Sequence, residues 1–297
     1  MKKILFVFLL VTTLFSKDTI TWMLWDLPPN FILKGDQKNK GYQDIRLKLL
    51  QDRLPQYHHE AVVMNVNRAI AIYKERNDSE TIYCTNDLIS HPTLDIDDYL
   101  SMAQFPFKAH YLVTSKDKAH LFGKEGETVV LEDIIQNKNL RLVISKNRPY
   151  LGANKILQSY LKDNPEQNHI TSLSTLNIGK SMFAFIFKDR AEYTFEYSFR
   201  VTYYEKELGL EKQAVVFPIK ENAGIYYGFT SCVKTPKGRK VVDEVNDILR
   251  DIKHTNKWMI PFVKWLPNKK LQEDYIKYYK EVFIPSGEIY DSNPRSQ

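Results

Sequence analysis

The sequence predicts an α/β protein of two lobes, each a mixed, mostly parallel sheet flanked by helices. Three observations carry that prediction. Short apolar strand patterns alternate with helical ones from Thr19 to Cys84 in the order β-α-β-α-β. A second run of the same kind starts near Tyr111 and reaches Phe217, after which a long strand pattern, Ile225 to Val233, leads into the best amphipathic helix of the chain. The length of 297 residues is long for one core and comfortable for two.

Each element has a local cause. Ile20, Trp22 and Leu24 alternate with Thr21 and Met23, a strand pattern over 19–25 that Asp26-Leu27-Pro28-Pro29-Asn30 breaks with a turn. Ile45, Leu49 and Leu50 mark one face of a helix that Pro55 stops. Ala61 to Met64 and Thr81 to Cys84 read as strands around a helix, Val66 to Tyr73, with Ala69, Ile70 and Tyr73 on one side. In the second unit the strand patterns are Tyr111 to Thr114, Leu140 to Ile144, His169 to Ser172, Ala191 to Phe195 and Gln213 to Phe217. Helices fit Leu131 to Ile135 and Ala153 to Leu161. Pro236 opens the helix in which Val241, Val245, Ile248, Leu249 and Ile252 recur at helical spacing. Leu271, Tyr275, Tyr278 and Val282 form a C-terminal helical stripe, expected to pack against the first lobe.

The N-terminal residues read as an export signal. Lys2 and Lys3 precede an apolar run from Ile4 to Leu14, and small Ser16 precedes Lys17 and Asp18, which predicts a signal peptide over 1–16 and a periplasmic protein. The run is too short to span a bilayer as a finished helix, and no later segment has the length and apolarity to do so. No Cys lies near Ser16, which argues against a lipid anchor there.

Composition and motifs exclude more than they assign. The formal charge of +6 falls by two with Lys2 and Lys3, and the remaining basic residues are scattered among acids; the densest cluster is Lys234, Lys237, Arg239 and Lys240. No concentrated basic face implies a nucleic-acid partner. His58-His59-Glu60 is the one eye-catching triplet, but adjacent histidines point to different sides and cannot share a zinc as residues i and i+4 of a helix do, so a water-exposed loop or strand edge is expected. Asp95, Asp97 and Asp98 lack the order of an EF-hand loop. There is no GxSxG elbow, phosphate loop, GxGxxG turn or CxxC. No enzyme activity, cofactor or metal is expected. Cys84 and Cys232 fit either a disulfide or two separate buried thiols.

Softer motifs then run in a recognisable order. Asp26-Leu27-Pro28-Pro29 follows the first strand, and Gly41-Tyr42-Gln43-Asp44 starts the first helix. Phe105-Pro106-Phe107 precedes the passage to the second unit, and Leu131-Glu132-Asp133-Ile134 precedes that unit's strand at 140–144. SKNRPYLG spans Ser145 to Gly152, Asp189-Arg190-Ala191-Glu192 precedes a strand, and Tyr227 to Lys234 forms the returning strand. In this the chain resembles the type 2 periplasmic solute-binding proteins, in the branch of polar amino-acid-binding proteins of ABC transporters (bacterial extracellular solute-binding protein family 3).

The resemblance implies two lobes, 17–110 plus 226–297 and 111–225, crossed near His110 and Ile225 and closing by a hinge on a small polar ligand. It further implies a monomer that delivers its ligand to the membrane subunits of a transporter. Both cysteines then fall in one lobe, which favours their pairing. Ligand contacts fall to Trp25 and Phe105 as aromatic walls, Asp26 at the cleft mouth, Tyr150 in the loop facing the cleft, Arg148 for an anionic group and Glu192 for an ammonium group. Thr93-Leu94-Asp95-Ile96 departs from the pattern: Ile96 stands where amino-acid binders carry a carboxylate-clamping arginine, so the ligand's identity stays open. Two alternatives share the scaffold: a periplasmic dehydratase of the cyclohexadienyl type with Glu192 as general acid, and a ligand sensor for a membrane receptor.

Overall fold

A computed structural model describes residues 17–75, 80–89, 98–146, 148–174, 178–210 and 212–289. The leader 1–16, Asp95, Asp97 and the Thr93–Ile96 stretch lie outside the described residues. The strands are β1 (Thr19–Leu24), β2 (His58–Val63), β3 (Ile82–Ile89), β4 (Asp98–Leu100), β5 (Phe105–Lys108), β6 (Tyr111–Ser115), β7 (Leu142–Ser145), β8 (Ile170–Leu173), β9 (Tyr193–Glu196), β10 (Ala214–Phe217) and β11 (Ile225–Val233). They divide into two sheets. The first runs β2-β1-β3-β11-β4, with β5 also paired to β11; the second runs β10-β6-β9-β7-β8.

Both sheets are mixed. Parallel pairing joins β1 to β2 and β3, and β7 to β8 and β9. The strands next to the crossings are antiparallel to their neighbours: β11 against β3, β4 and β5, and β6 against β9 and β10. The alternation of strands and helices cannot report these reversals, because a strand's apolar pattern reads the same in either direction. β1, flanked on both edges, is buried almost throughout, as a parallel strand covered on both faces must be. β2 is an edge strand whose residues are nearly all exposed, and it carries His58-His59-Glu60.

The two crossings run side by side. β5 leaves the first lobe and β11 returns to it, paired Lys108 to Ile225 and Phe105 to Gly228. Gly228 is required there, since a Cβ at that position would lie 2.2 Å from the Phe105 ring. Farther along, Cys232 faces Cys84 of β3 in register, and the two form a disulfide across 148 residues of chain.

The helices are α1 (Tyr42–Gln51), α2 (Val66–Glu75), α3 (Leu131–Gln136), α4 (Asn154–Asp163), α5 (Ile178–Phe187), α6 (Ser198–Glu207), α7 (Pro236–Ile252), α8 (Asn256–Val263) and α9 (Lys269–Tyr278), the last running into a π turn, Tyr279–Phe283. α7 has the helical apolar face expected of it, and Thr235 caps it by accepting from the Gly238 N–H. Two faces differ from expectation. In α1 the buried residues are Tyr42, Gln43, Arg46, Leu47 and Leu50, while Ile45 is 36% exposed. At the C terminus the π turn moves the buried stripe onto Tyr279 and Phe283, leaving Val282 47% exposed.

The largest apolar cluster belongs to the first lobe but takes in Leu151, Tyr197 and Phe199 from the second. Phe199 meets Tyr42 at 5.8 Å, Phe107 at 6.2 Å and Phe262 at 5.2 Å between ring centres. The C-terminal helices extend this seam: Trp265 approaches Tyr203 at 6.1 Å, and Leu271 packs against clusters of both lobes. The Cys84–Cys232 bond holds the returning strand in this arrangement. The Cys84→Ser/Cys232→Ser double variant is expected to lose about 2–5 kcal/mol of stability. Urea unfolding with and without reductant checks this, and an oxidised protein no more stable than the double variant contradicts it.

Candidate functional site

Strand ends define the site. β1, β3, β7 and β9 all finish toward the gap between the sheets, where ligands of α/β folds bind. A cleft of about 720 Å³ lies there. The first lobe lines it with Asp26, Leu27, Pro28, Ile32, Lys34 and Ile89. The second contributes Arg148, Pro149, Lys180, Tyr197, Arg200, Tyr203, Tyr204 and Glu207. A smaller hollow of about 260 Å³ sits between the C-terminal helices and the crossing strands, away from these strand ends.

Arg148 is tied to a buried carboxylate at the cleft. Its Nη1 donates to Glu196 Oε2 at 2.8 Å and its Nη2 to Oε1 at 2.5 Å, a two-pronged pairing. Glu196, the last residue of β9, is fully buried. Burial alone would raise its carboxyl, but the charge and hydrogen bonds of Arg148 prevail and hold it down at about 2. His110, on the first crossing, lies 3.3 Å from Arg148 Nη2; burial first, then the Arg148 charge, push its imidazole well below the ordinary range.

The sequence-chosen residues separate into two groups. Asp26 and Arg148 line the cleft together. The other four serve elsewhere. Trp25 is buried and donates from Nε1 to Asp87 Oδ2 at 3.0 Å. Phe105 is a core ring packed on Tyr42, Phe107 and Phe262, with the Arg46 guanidinium 4.4 Å from its centre. The buried Tyr150 hydroxyl accepts from the Ser145 N–H at 2.7 Å. Glu192 stands before β9, at the end of the strand opposite the cleft, and is held by Arg141 and Lys118. Burial opposes its ionisation, but hydrogen bonds from Arg141 and Lys118 keep it near about 2. The acid at the cleft end of this strand is Glu196, four residues on.

Asp87 centres a buried polar network in the first lobe, two residues before the cleft-lining Ile89. It receives Trp25, both prongs of Asn30 Nδ2 at 2.8 and 2.9 Å, and Gln43 at 3.3 Å. Burial raises its carboxyl to about 6, against the pull of these donors.

Arg200, Tyr197, Tyr203 and Tyr204 escaped the sequence reading. A signal was available: a strand pattern ending at Phe195 places the next few residues at a strand's carboxyl end, where sites gather. Serine, β-branched and aromatic residues in SFRVTYY hid the helix that follows.

No protein-family profile and no curated protein matches this chain. Solved structures do. The probable amino-acid ABC transporter extracellular-binding protein ytmK from Bacillus subtilis is 14% identical with a TM-score of 0.61, covering 85% of this chain and 99% of its own. The ancestral amino-acid-binding protein AncCDT-1, a precursor of cyclohexadienyl dehydratase, is 13% identical with a TM-score of 0.55, covering 84% and 95%. A histidine kinase sensor domain with similarity to periplasmic binding proteins is 10% identical with a TM-score of 0.56, covering 84% and 96%. The chain therefore has the two-lobed, type 2 periplasmic-binding-protein-like fold.

The depressed Glu196 carboxyl fixes the sign of an acid response. Between its ordinary value of 4.5 and about 2 the unfolded chain binds more protons than the folded one, so stability present above 4.5 is lost as pH falls through that window. Glu192 acts in the same direction, whereas Asp87, raised from 3.8 to about 6, favours the fold at the lower end of its own window and loses that contribution as pH rises. Glu196→Gln is expected to cost about 3–5 kcal/mol near neutrality by leaving Arg148 without its carboxylate. It is also expected to flatten the loss between pH 4.5 and 2. Urea midpoints across pH check both, and an unchanged acid slope in the variant contradicts the assignment.

Proposed function

We propose that the chain is an exported solute-binding protein that captures a small polar molecule between its lobes and delivers it to a membrane transporter. The carrying observation is the cleft: the parallel strands β1 and β3 of one sheet and β7 and β9 of the other end toward it, both lobes supply charged side chains to its walls, and the second adds Tyr197, Tyr203 and Tyr204. Such a site engages a ligand on two sides at once, so binding favours the closed arrangement of the lobes. The moving bodies are 17–110 with 226–297, and 111–225. The disulfide supports an oxidising compartment such as the periplasm, in keeping with the leader pattern in 1–16.

Capture is preferred to the dehydratase reading on one observation. A dehydratase needs a general acid over the leaving hydroxyl, and Glu192, the acid considered for that role, is engaged by Arg141 and Lys118 outside the cleft. A sensor role differs from transport in the partner rather than in the cleft, and the solved sensor domain of the same fold keeps it as the second reading.

A melting screen of the oxidised protein against amino acids, polyamines and small organic acids tests capture. A ligand at a hundred times its Kd is expected to stabilise by about 2.7 kcal/mol, and small-angle scattering is expected to show a smaller radius of gyration in its presence. Turnover of prephenate would favour the dehydratase instead. A full screen without a melting shift or a change of shape contradicts the proposal.

A further inference from the structure

Arg200 is a buried cation with no acid to itself. It lies in the first turn of α6, its side chain is 8% exposed, and its Nε has no hydrogen-bond partner. The carboxylate within ion-pair distance is Glu196, 3.9 Å away at Oε1, and Arg148 already holds that group with both prongs. Tyr197 places its ring 5.3 Å below the guanidinium. Asp87 takes its hydrogen bonds from Trp25, Asn30 and Gln43; it makes no ion pair with Arg200, though the Arg200 charge opposes the rise that burial gives its carboxyl. A guanidinium taken from water without compensation is costly, and an unmatched buried polar atom at a cleft wall calls for a partner the protein itself does not supply.

The other charges of the cleft cancel in pairs. Arg148 stands against Glu196, Lys34 lies 4.0 Å from Asp26, and Lys180 lies 3.6 Å from Glu207. Arg200 is left as the uncompensated charge of the described lining, and every described carboxylate there already has a cationic neighbour. Among the described lining, an ammonium group would therefore meet a repelling charge and no acid without a cationic neighbour. An anion would meet a planar fork suited to two-pronged contact, at the positive end of α6, whose N-cap Tyr197 gives no side-chain cap.

We propose that Arg200 anchors the ligand, and that the ligand is a small organic carboxylate needing no α-ammonium group. This rests on the reading of the cleft as a solute site. Leu27, Ile32 and Ile89 from one lobe and Tyr203 and Tyr204 from the other give the body of that acid an apolar and aromatic surround. The carboxylate completes Arg200 in the way Glu196 completes Arg148.

Calorimetry on the oxidised protein tests the inference with matched pairs: phenylalanine against 3-phenylpropionate, and glutamate against glutarate, with putrescine and inorganic phosphate alongside. At least one deaminated acid is expected to bind no more weakly than its amino acid. Arg200→Gln is expected to weaken it about tenfold or more, and Arg200→Lys less. Ligand-free Arg200→Gln is expected to melt no lower than the parent, because the substitution removes an unmatched buried charge. The inference is overturned if deamination abolishes binding, if Arg200→Gln leaves the affinity unchanged, if phosphate is preferred to every carboxylate, or if the ligand-free variant melts several degrees lower. Binding of putrescine or a neutral solute that ignores Arg200→Gln overturns this inference and leaves solute capture standing; no binding in any class overturns both.

Discussion

The returning strand β11 is the constraint on which the molecule depends. It pairs antiparallel with β3, β4 and β5, so one strand joins the body of the first sheet to the segment that departs for the second. Its far end is fastened to β3 by Cys84–Cys232. Its near end lies beside β5 at the crossing, where Gly228 admits the Phe105 ring. One half of the strand is thus covalently fixed, and the other half is where the chain passes between lobes. The position of the second sheet, and with it the width of the cleft, follows from how these two segments lie together.

The cleft inherits its chemistry from the same geometry. Strand ends bring Asp26, Ile89, Arg148 and Tyr197 to one gap from positions far apart in sequence. Glu196 closes β9 and neutralises Arg148, which converts a charge that looks available in the sequence into an internal tie. The partner-poor cation is a neighbour, Arg200, in the first turn of α6. A buried charge left unmatched is costly, and that cost is the ground on which Arg200 is proposed as the ligand's anchor.

Much of the fold was legible in the sequence. The strand patterns at 19–25, 111–114 and 225–233 overlap the observed strands closely, because two-residue alternation and buried apolar runs leave a plain trace. Helices α5, α6 and α8 did not. IGKSMFAFIF is apolar on nearly all sides and has no stripe to find, SFRVTYYEKE is rich in β-branched and aromatic residues, and α8 carries Pro261. The site was less legible than the fold. Phe105 and Tyr150 have the residue types of a binding wall, yet packing claims both, and a sequence cannot say which aromatic ring points inward. Glu192 was chosen by its place in a motif, but in a strand the difference between its two ends is a matter of four residues and of opposite faces of the lobe.

The aromatic seam through Phe199 has a thermodynamic consequence. Tyr42, Phe107 and Phe262 are already packed on a ring of the opposite lobe, so much of the apolar area that domain closure usually removes from water is removed in advance. A negative heat-capacity change on binding reports such removal. Under the proposed solute capture, closure of the lobes would therefore add little of its own to that heat-capacity change, leaving it to the ligand's contacts with the cleft walls.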